Sequence, residues 1–530
     1  MNKLVSERTQ AMSKILEGVN LVVNPVVASI GPNGKTTLVA KSYMQDYGIE
    51  NYPVLCTKDG FNITKSISSP DPEVQVGVRL VQQAAEVQME KMGDATSSVC
   101  LFTKEILTGG LNLIKSGISS LKVIGGINEA VGYVSEAMTK MATPINGDVE
   151  RIRMIASVTA NNDKFIGDLI ADAFDKTGND GVFQVEESKG RITSVRVSDG
   201  VKFSRGWASP YFITNKAKSE AVLDKPFILL YDRPITILND LMPLLERILN
   251  LQGQTGVKRP LVIFCEKTDG EALATLTFNT QQGSLQSCVV EMQALGQHKM
   301  DFMNDLAICT NGKFISELDG VKLENVTIDM LGQADKVIVG KDETVVIGGM
   351  KNQELFDKLI EDLKALEASE QDTEANEMIK KRIARLKGAV AILSVAGITE
   401  IEMRERMDRI DDSIRSVRSS INGGWVVGGG TAFLRVPKKE GSEGWNLIMD
   451  VLAKPLTQIC INSEKNPQEV IDMVLSQEGN IGYNAKTDKV EDLSVSGIIE
   501  PVQSNIYALQ NAASVVCQIL SSQYMIVDTL

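Results

Sequence analysis

The sequence predicts a multidomain chain of α+β and α/β character, in which a mixed segment and then an α/β segment are inserted into a mostly helical part built from both chain ends. Three observations predict it. The 530 residues exceed the size at which one hydrophobic core stops growing, so about three domains are expected. Helical periodicity fills roughly the first 140 residues and returns after about 400. Between them, short β-rich apolar runs alternate with helical stretches, which is the mark of an inserted α/β domain.

From the N-terminus, SERTQAMSKILEGVNLVVNPVVASI keeps apolar residues at helical spacing until Gly31 and Pro32 break it. EVQVGVRLVQQAAEVQMEKM repeats the pattern and stops at Gly93, and TKEILTGGLNLIKSG and LKVIGGINEAVGYVSEAMTKMA add two more helices. Pro144 and Gly147 punctuate the chain as a boundary. FILLYD and PLVIFCEK then read as buried strands, each followed by a helix, LNDLMPLLERILNLQ and DGEALATLTFNTQ, which implies some parallel pairing. The charged stretch 351–387 places Glu and Lys at i,i+4 and predicts an antiparallel helix pair turning near Glu370–Asp372.

Charge and residue counts exclude whole chemistries. A net charge of −13 leaves nothing to offset phosphate repulsion, so no nucleic-acid partner is expected. No apolar run is long enough to span a membrane. The start, MNKLVSERTQAMSKIL, is charged where a secretory signal is apolar, so a cytoplasmic chain is expected. His298 is the one histidine and reads as a solvated residue, which removes imidazole metal sites and triads. The seven cysteines are scattered without a CxxC, as in reduced thiols. Carboxylates, hydroxyls, lysines and backbone amides remain, an inventory that suits a magnesium–nucleotide enzyme.

Four segments could carry that chemistry. GPNGKTT at Gly31–Thr37 resembles the end of a phosphate-binding loop, but Ser29 stands where the pattern needs glycine, and a helix rather than a strand precedes it. MGDATSSV at Met92–Val99 reads either as a plain helix cap or as an anion cradle whose Asp holds a magnesium ion. CTKDGFNI at Cys56–Ile63 reads as a hairpin turn. RIDDSIRSVRSSINGGWVVGGGTAFL pairs Asp411 with Asp412 on a helix before two glycine clusters, which suit either close ligand approach or tight packing.

Taken in order, SIGPNGK, TKDG, GDATSS, ASPYFI, GEALATL, MDRIDDSIRS, VVGGGTAFLR, GYNA and ALQNAASV resemble the group I chaperonins of GroEL type. The resemblance runs over about residues 5–520, and the chain looks like the divergent copies carried by some large bacteriophages. It implies a mostly helical equatorial ATP-binding domain (1–143 and 424–530), a small intermediate domain (144–199 and 389–423) and an inserted α/β apical domain (200–388). Hinges would fall near Pro144 and Gly424 and near Gly200 and Gly388, with Ala389 replacing the second glycine of a family pair.

The resemblance also assigns residues. Ser29, Ile30, Gly31, Pro32 and Lys58 would line the nucleotide phosphates. Asp94 would hold Mg2+, with Ala95 replacing a family glycine and Thr96, Ser97 and Ser98 donating to phosphate oxygens. Gly429, Asn484, Ala485 and Ile498 would surround the adenosine, and Glu500 stands one carbon too long for a ribose-binding Asp. Asp59 and Asp412 would be catalytic, Asp412 reaching the site on hinge closure. ATP and Mg2+ are the implied cofactors, with K+ a further candidate. Trp207, Tyr211, Phe212, Met242, Leu245, Leu273, Thr277 and Phe278 match the client-binding surface.

The implied function is an ATP-dependent ring-forming chaperonin that binds non-native proteins on an apolar apical rim. Its partners would be unfolded clients, other copies of itself in a single or double ring of roughly seven, and, left open, a lid co-chaperonin. A phage-encoded chain would work in the host cytoplasm. The alternatives are a passive nucleotide-gated holdase ring with little hydrolysis and, from GPNGKTT, a small-molecule kinase.

Overall fold

The computed structural model describes residues 2–40, 54–160, 162–179, 181–188, 190, 192–216, 218–292, 297–316, 320–370 and 372–529. The chain divides into two compact units. One joins residues 1–175, 185–194 and 394–530, and the other joins 176–184 and 195–393.

The first unit is mainly helical, and both chain ends build it. The helices Arg8–Val27, Pro72–Met92, Thr96–Lys115, Ser120–Met141 and Val502–Ser521 pack on one another through their periodic apolar faces. Val19, Val22, Val78, Val81, Phe102, Ile106, Val134 and Leu509 are all buried. Arg8–Val27 and Pro72–Met92 touch backbone to backbone. A Cβ on Gly18 would lie 2.2 Å from the Val74 carbonyl, and one on Gly77 would lie 2.2 Å from the Ile15 carbonyl. Strand Asn2–Glu7 pairs antiparallel with Tyr524–Thr529, so the two termini close one ribbon. A second ribbon joins Thr37–Ala40 to Val54–Thr57. At the predicted boundary, Thr143 and Trp425 exchange backbone bonds of 2.9 and 2.8 Å. The long helix Glu400–Gly423 packs on Val149–Thr159 and ends at Gly424, whose φ is 83°.

The second unit is built on a ten-stranded sheet. Its main path runs Val182–Glu187, Ala389–Val395, Ser194–Phe203, Thr344–Gly349, Gly332–Val339, Phe227–Tyr231, Leu261–Cys265, Ser287–Glu291, and off that path Ala221–Asp224 pairs with Gly332–Val339 and Phe314–Ile315 with Phe227–Tyr231. Phe227–Tyr231, Leu261–Cys265 and Ser287–Glu291 are parallel, joined by the helices Leu238–Thr255 and Gly270–Gln282. The sequence reading of alternating strands and helices holds here for a physical reason. These strands are buried on both faces and so read as unbroken apolar runs. Helices Gln353–Ser369 and Thr373–Leu386 form the charged pair, with the turn between them. Ala389 opens its strand, and Gly200 donates to the Gly388 carbonyl at 3.3 Å.

One local expectation changes, and two hold. The TKDG segment is not a hairpin: the Asp59 carboxylate caps the helix Gly60–Lys65, accepting from the Phe61 and Asn62 amides at 3.3 and 2.9 Å. The chain after GPNGK enters a strand at Thr37 instead of a helix, so no phosphate-binding loop of the kinase type forms. The seven cysteines are free thiols, with Cys100, Cys265, Cys288, Cys309 and Cys460 buried and Cys56 exposed. The side chain of His298 lies outside the described residues.

Candidate nucleotide site and apolar apical surface

Pro72–Met92 stops because Gly93 turns left-handed, φ 66°, and its amide closes on the Met89 carbonyl at 3.0 Å. A Cβ there would lie 2.6 Å from Arg415 Cβ and 3.0 Å from the Asp412 carbonyl. The loop therefore lies directly on the Glu400–Gly423 helix. Ala95 is left-handed as well, φ 63° and ψ 23°, and begins the helix Thr96–Lys115. That conformation costs a non-glycine residue about 1–2 kcal/mol. Asp94 sits between these two turns. Its carboxylate accepts from the Ala95 amide at 2.6 Å and from the Thr159 hydroxyl, and burial pushes it above the usual carboxylate range. Thr96, Ser97 and Ser98 open a twenty-residue helix whose first amides have no intrahelical partners.

Asp59 and Asp412 approach the same loop. A Cβ on Gly60 would lie 2.2 Å from Ser97 Oγ, so the Asp59 turn packs on the start of the Thr96 helix. Burial raises the Asp59 carboxyl, against the two amide bonds that stabilise its charge. Asp412, 18% exposed, is pushed well above the usual range, first by burial and then by the charge of Asp59. Among the described residues its ion-pair partner is Arg415 at 3.6 Å. Asp412 was expected to need hinge closure, but here its helix already lies against the Gly93 turn.

The opposite residues form a second group. Ser29 is buried and its hydroxyl donates to the Val26 carbonyl at 2.8 Å. Gly31, φ 81°, reverses the chain before Pro32, and the Asn462 amide fixes this turn by donating to Val27 and Ile30 carbonyls at 2.9 and 2.8 Å. Asn33 donates to the Ala485 carbonyl at 2.8 Å and so joins this turn to the Asn484–Ala485 segment. Asn484 spends its amide on Glu491 at 2.6 Å. Ile498 accepts from the Gly428 amide at 2.9 Å. Lys58 is exposed.

Glu500 is held from within the chain. Its Oε1 accepts from the Gly429 amide at 2.9 Å and its Oε2 from Asn505 at 3.0 Å. The extra carbon lets it brace the glycine turn, and both oxygens are engaged there. Burial and then the charge of Asp94 push it upward.

The donor set fits magnesium held mainly by phosphate. Among the described residues no three carboxylate, thiol or imidazole side chains converge as a metal cage. Mg2+ commonly takes only one or two protein carboxylates and completes its shell with phosphate and water. Asp94, beside free amides and hydroxyls, supplies that one carboxylate. The surplus buried negative charge around it is the environment a divalent cation neutralises.

In the second unit the expected client surface separates into three classes. Phe212 and Leu245 are core residues, 0% and 4% exposed, so they are unavailable to a client. Phe212 turns inward from the short turn Pro210–Phe212, and Leu245 lies on the inner face of its helix with Leu241, Leu244 and Ile248. Tyr211 and Phe278 are 63% and 61% exposed. Trp207, Met242 and Leu273 are half-buried against the core. The Thr277 hydroxyl is turned back to the Leu273 carbonyl at 2.9 Å. Ile237, Leu249 and Val257, which sequence reading missed, are also exposed.

Sequence reading also missed Gln88, Thr159, Asn462 and Asn505. A signal existed for Gln88: it falls on the buried face of its helix, in step with Val81, Ala84 and Ala85. No local signal marks Thr159, because its partner Asp94 is remote in sequence.

The shifts give a pH prediction. The folded state holds a proton on Asp412 in a pH window where the unfolded chain has released it. Stability from this group therefore falls as pH rises through its raised folded value. Asp412→Asn should raise the unfolding free energy of the nucleotide-free chain at pH 7.5, read from urea titrations, by on the order of 1 kcal/mol. The gain should shrink as pH falls toward the ordinary Asp range. A gain that grows on acidification would contradict the assigned burial.

The comparisons complete the picture. The model of the TCP-1/cpn60 chaperonin family matches residues 22–243 and 285–529. Two crystal structures of the chaperonin gp146 from bacteriophage EL 2 (Pseudomonas aeruginosa), both in the presence of ATP-BeFx, share the fold. Crystal form II gives a TM-score of 0.69 at 16% identity, covering 99% of this chain and 100% of that one. Crystal form I gives 0.64 at 16% identity, covering 99% of each. The multidomain helix-and-sheet class and the chaperonin resemblance read from the motifs both stand, and the chain belongs to the TCP-1/cpn60 chaperonin family.

Proposed function

We propose that this chaperonin is a ring-forming Mg-ATPase that binds non-native proteins on its second unit and uses nucleotide hydrolysis to drive release and folding. The observation that carries the reading is the Gly93–Ser98 loop, where a buried carboxylate and a hydroxyl-rich helix start lie against Asp412 and Asp59. The ATP analogue named for both phage chaperonin crystals supports it. Bound magnesium would offset the charge that builds on the transferred phosphoryl group. Asp94 would hold it, and Thr96, Ser97, Ser98 and the free amides would orient the phosphates. Asp412, raised by burial and by Asp59, is suited to accept a proton from an attacking water. Glu500 acts by bracing Gly429 and not by touching ribose. The three-domain division at 143/144, 199/200, 388/389 and 423/424 remains our assignment for the motions of the cycle. Asp412→Ala should retain Mg-ATP binding while kcat falls about a hundredfold. Asp94→Ala should weaken binding itself. Parent-rate hydrolysis by Asp412→Ala would remove the catalytic assignment and favour the passive holdase.

The client surface comprises Tyr211, Met242, Leu273 and Phe278 together with Ile237, Leu249 and Val257. Exposed apolar groups of this kind match those shown by unfolded chains. Tyr211→Glu with Phe278→Glu should abolish capture of a denatured test protein and leave ATPase intact. Leu245→Glu should instead unfold the unit, because it buries an unpaired charge. Undiminished capture by the double variant would place the binding surface elsewhere.

Ring assembly is supported by two open-edged ribbons, the paired termini and Thr37–Ala40 with Val54–Thr57. Leu38, Val5, Tyr524 and Ile526 are exposed on them. Two-stranded ribbons are marginal alone, and their free edges template pairing with another copy. Contact between stacked rings should be weak. Thr457 and Asn466 stand where bacterial relatives place an Arg and a Glu, and here both side chains serve their own helices. Lys465 is occupied by Asp488 at 2.6 Å. Native mass spectrometry should find single rings populated in at least one of the apo, ADP and ATP states. Stable double rings in all three would refute this.

A further inference from the structure

Ala95 sits in a backbone conformation that disfavours alanine, and the loop around it contains an unusual compensation. Gln88, on Pro72–Met92, is fully buried. Its amide nitrogen donates to the Asp94 carbonyl at 2.9 Å and to the Ser504 carbonyl at 3.1 Å. The first of these carbonyls belongs to the peptide that joins Asp94 to Ala95. The other end of that peptide, the Ala95 amide, is held by the Asp94 carboxylate at 2.6 Å. Both polar ends of the peptide plane are thus fixed, and the plane's orientation sets φ of Ala95. A glycine would need no such clamp, since it adopts φ near 63° without penalty.

The clamp carries a cost of its own. Gln88 Oε1 and the Ser504 hydroxyl are buried with no protein partner among the described residues. Leaving such a group unsatisfied is expensive, and an apolar side chain at this helix position would avoid it. The glutamine at this position is therefore not explained by packing.

We infer that Gln88 is a positioning residue that locks the Asp94–Ala95 peptide and so compensates for alanine at a left-handed turn, keeping the Asp94 carboxylate and the start of the Thr96 helix in register. Its consequence for nucleotide rests on the proposed Mg-ATP reading; the compensation itself does not. Gln88→Met keeps side-chain length and removes the donor. Gln88→Asn keeps the donor and shortens its reach, and it serves where the methionine variant folds poorly. Each is made alone and with Ala95→Gly, with the full chain throughout.

Two measurements separate the layers. Urea midpoints without nucleotide test the compensation. The midpoint lost with Gln88→Met should be smaller in the Ala95→Gly background than in the parent, and equal losses in both would overturn the inference. Mg-ADP titration tests the positioning. Gln88→Met alone should weaken affinity about tenfold, and in the Ala95→Gly background threefold or less. A tenfold loss in both backgrounds would show a structural residue without this role. A parent chain that does not bind Mg-ADP would defeat the nucleotide reading alone, and the coupling of midpoints would still decide the compensation.

Discussion

Burying carboxylates without a full complement of cations is the constraint around which the first unit is arranged. Asp59, Asp94, Asp412 and Glu500 are all pushed upward by desolvation. A buried carboxylate persists only where hydrogen bonds or charge offset its lost hydration. Asp59 has two helix-cap amides, Asp94 has its neighbour's amide and the Thr159 hydroxyl, and Glu500 has Gly429 and Asn505. Asp412 has Arg415 at 3.6 Å, beyond hydrogen-bond length. It is the least compensated of the four and the one pushed furthest. On the proposed reading, the group with least internal support is the one that would act on a ligand rather than on the fold.

Bringing these acids together requires backbone to approach backbone or polar tips. Glycine supplies the room at Gly60 against Ser97, at Gly93 against the Asp412 turn and at Gly428 against Glu500. Each contact lies between segments far apart in sequence, so the site exists only after the helices from both chain ends have packed. Gly18 against Gly77 does the same for the helices beneath. Packing and chemistry in this unit are therefore not separable: a side chain added at these points would move an acid.

Long elements were legible because their signals are local. The periodic helices and the unbroken strands Phe227–Tyr231 and Leu261–Cys265 appeared nearly as read. The family was legible as a set of motifs in order, and the family model agrees with that reading. Individual roles were less legible. TKDG looked like a hairpin because Asp-Gly serves a turn and a helix cap equally well, and only the following amides decide. Glu500 looked too long for its place because its true partners, Gly429 and Asn505, come from folding. Gln88 was visible as a polar residue on an apolar face, but nothing in the sequence says which carbonyls it meets.

The second unit shows why an apolar motif does not announce its own exposure. Tyr211 and Phe212 are adjacent, yet one faces solvent and the other the core. Leu276 and Phe278 divide in the same way. A helix or tight turn rotates successive side chains, so a short apolar cluster must straddle core and surface. This arrangement has a physical use. The buried member fixes the backbone and the exposed member is presented by it, so the surface group is held by packing it does not itself provide. Substituting the outer residue leaves the anchor intact, which makes the proposed binding experimentally separable from folding in this unit. In the proposed nucleotide site they would not be, because there the same buried acids burden the fold and would perform the chemistry.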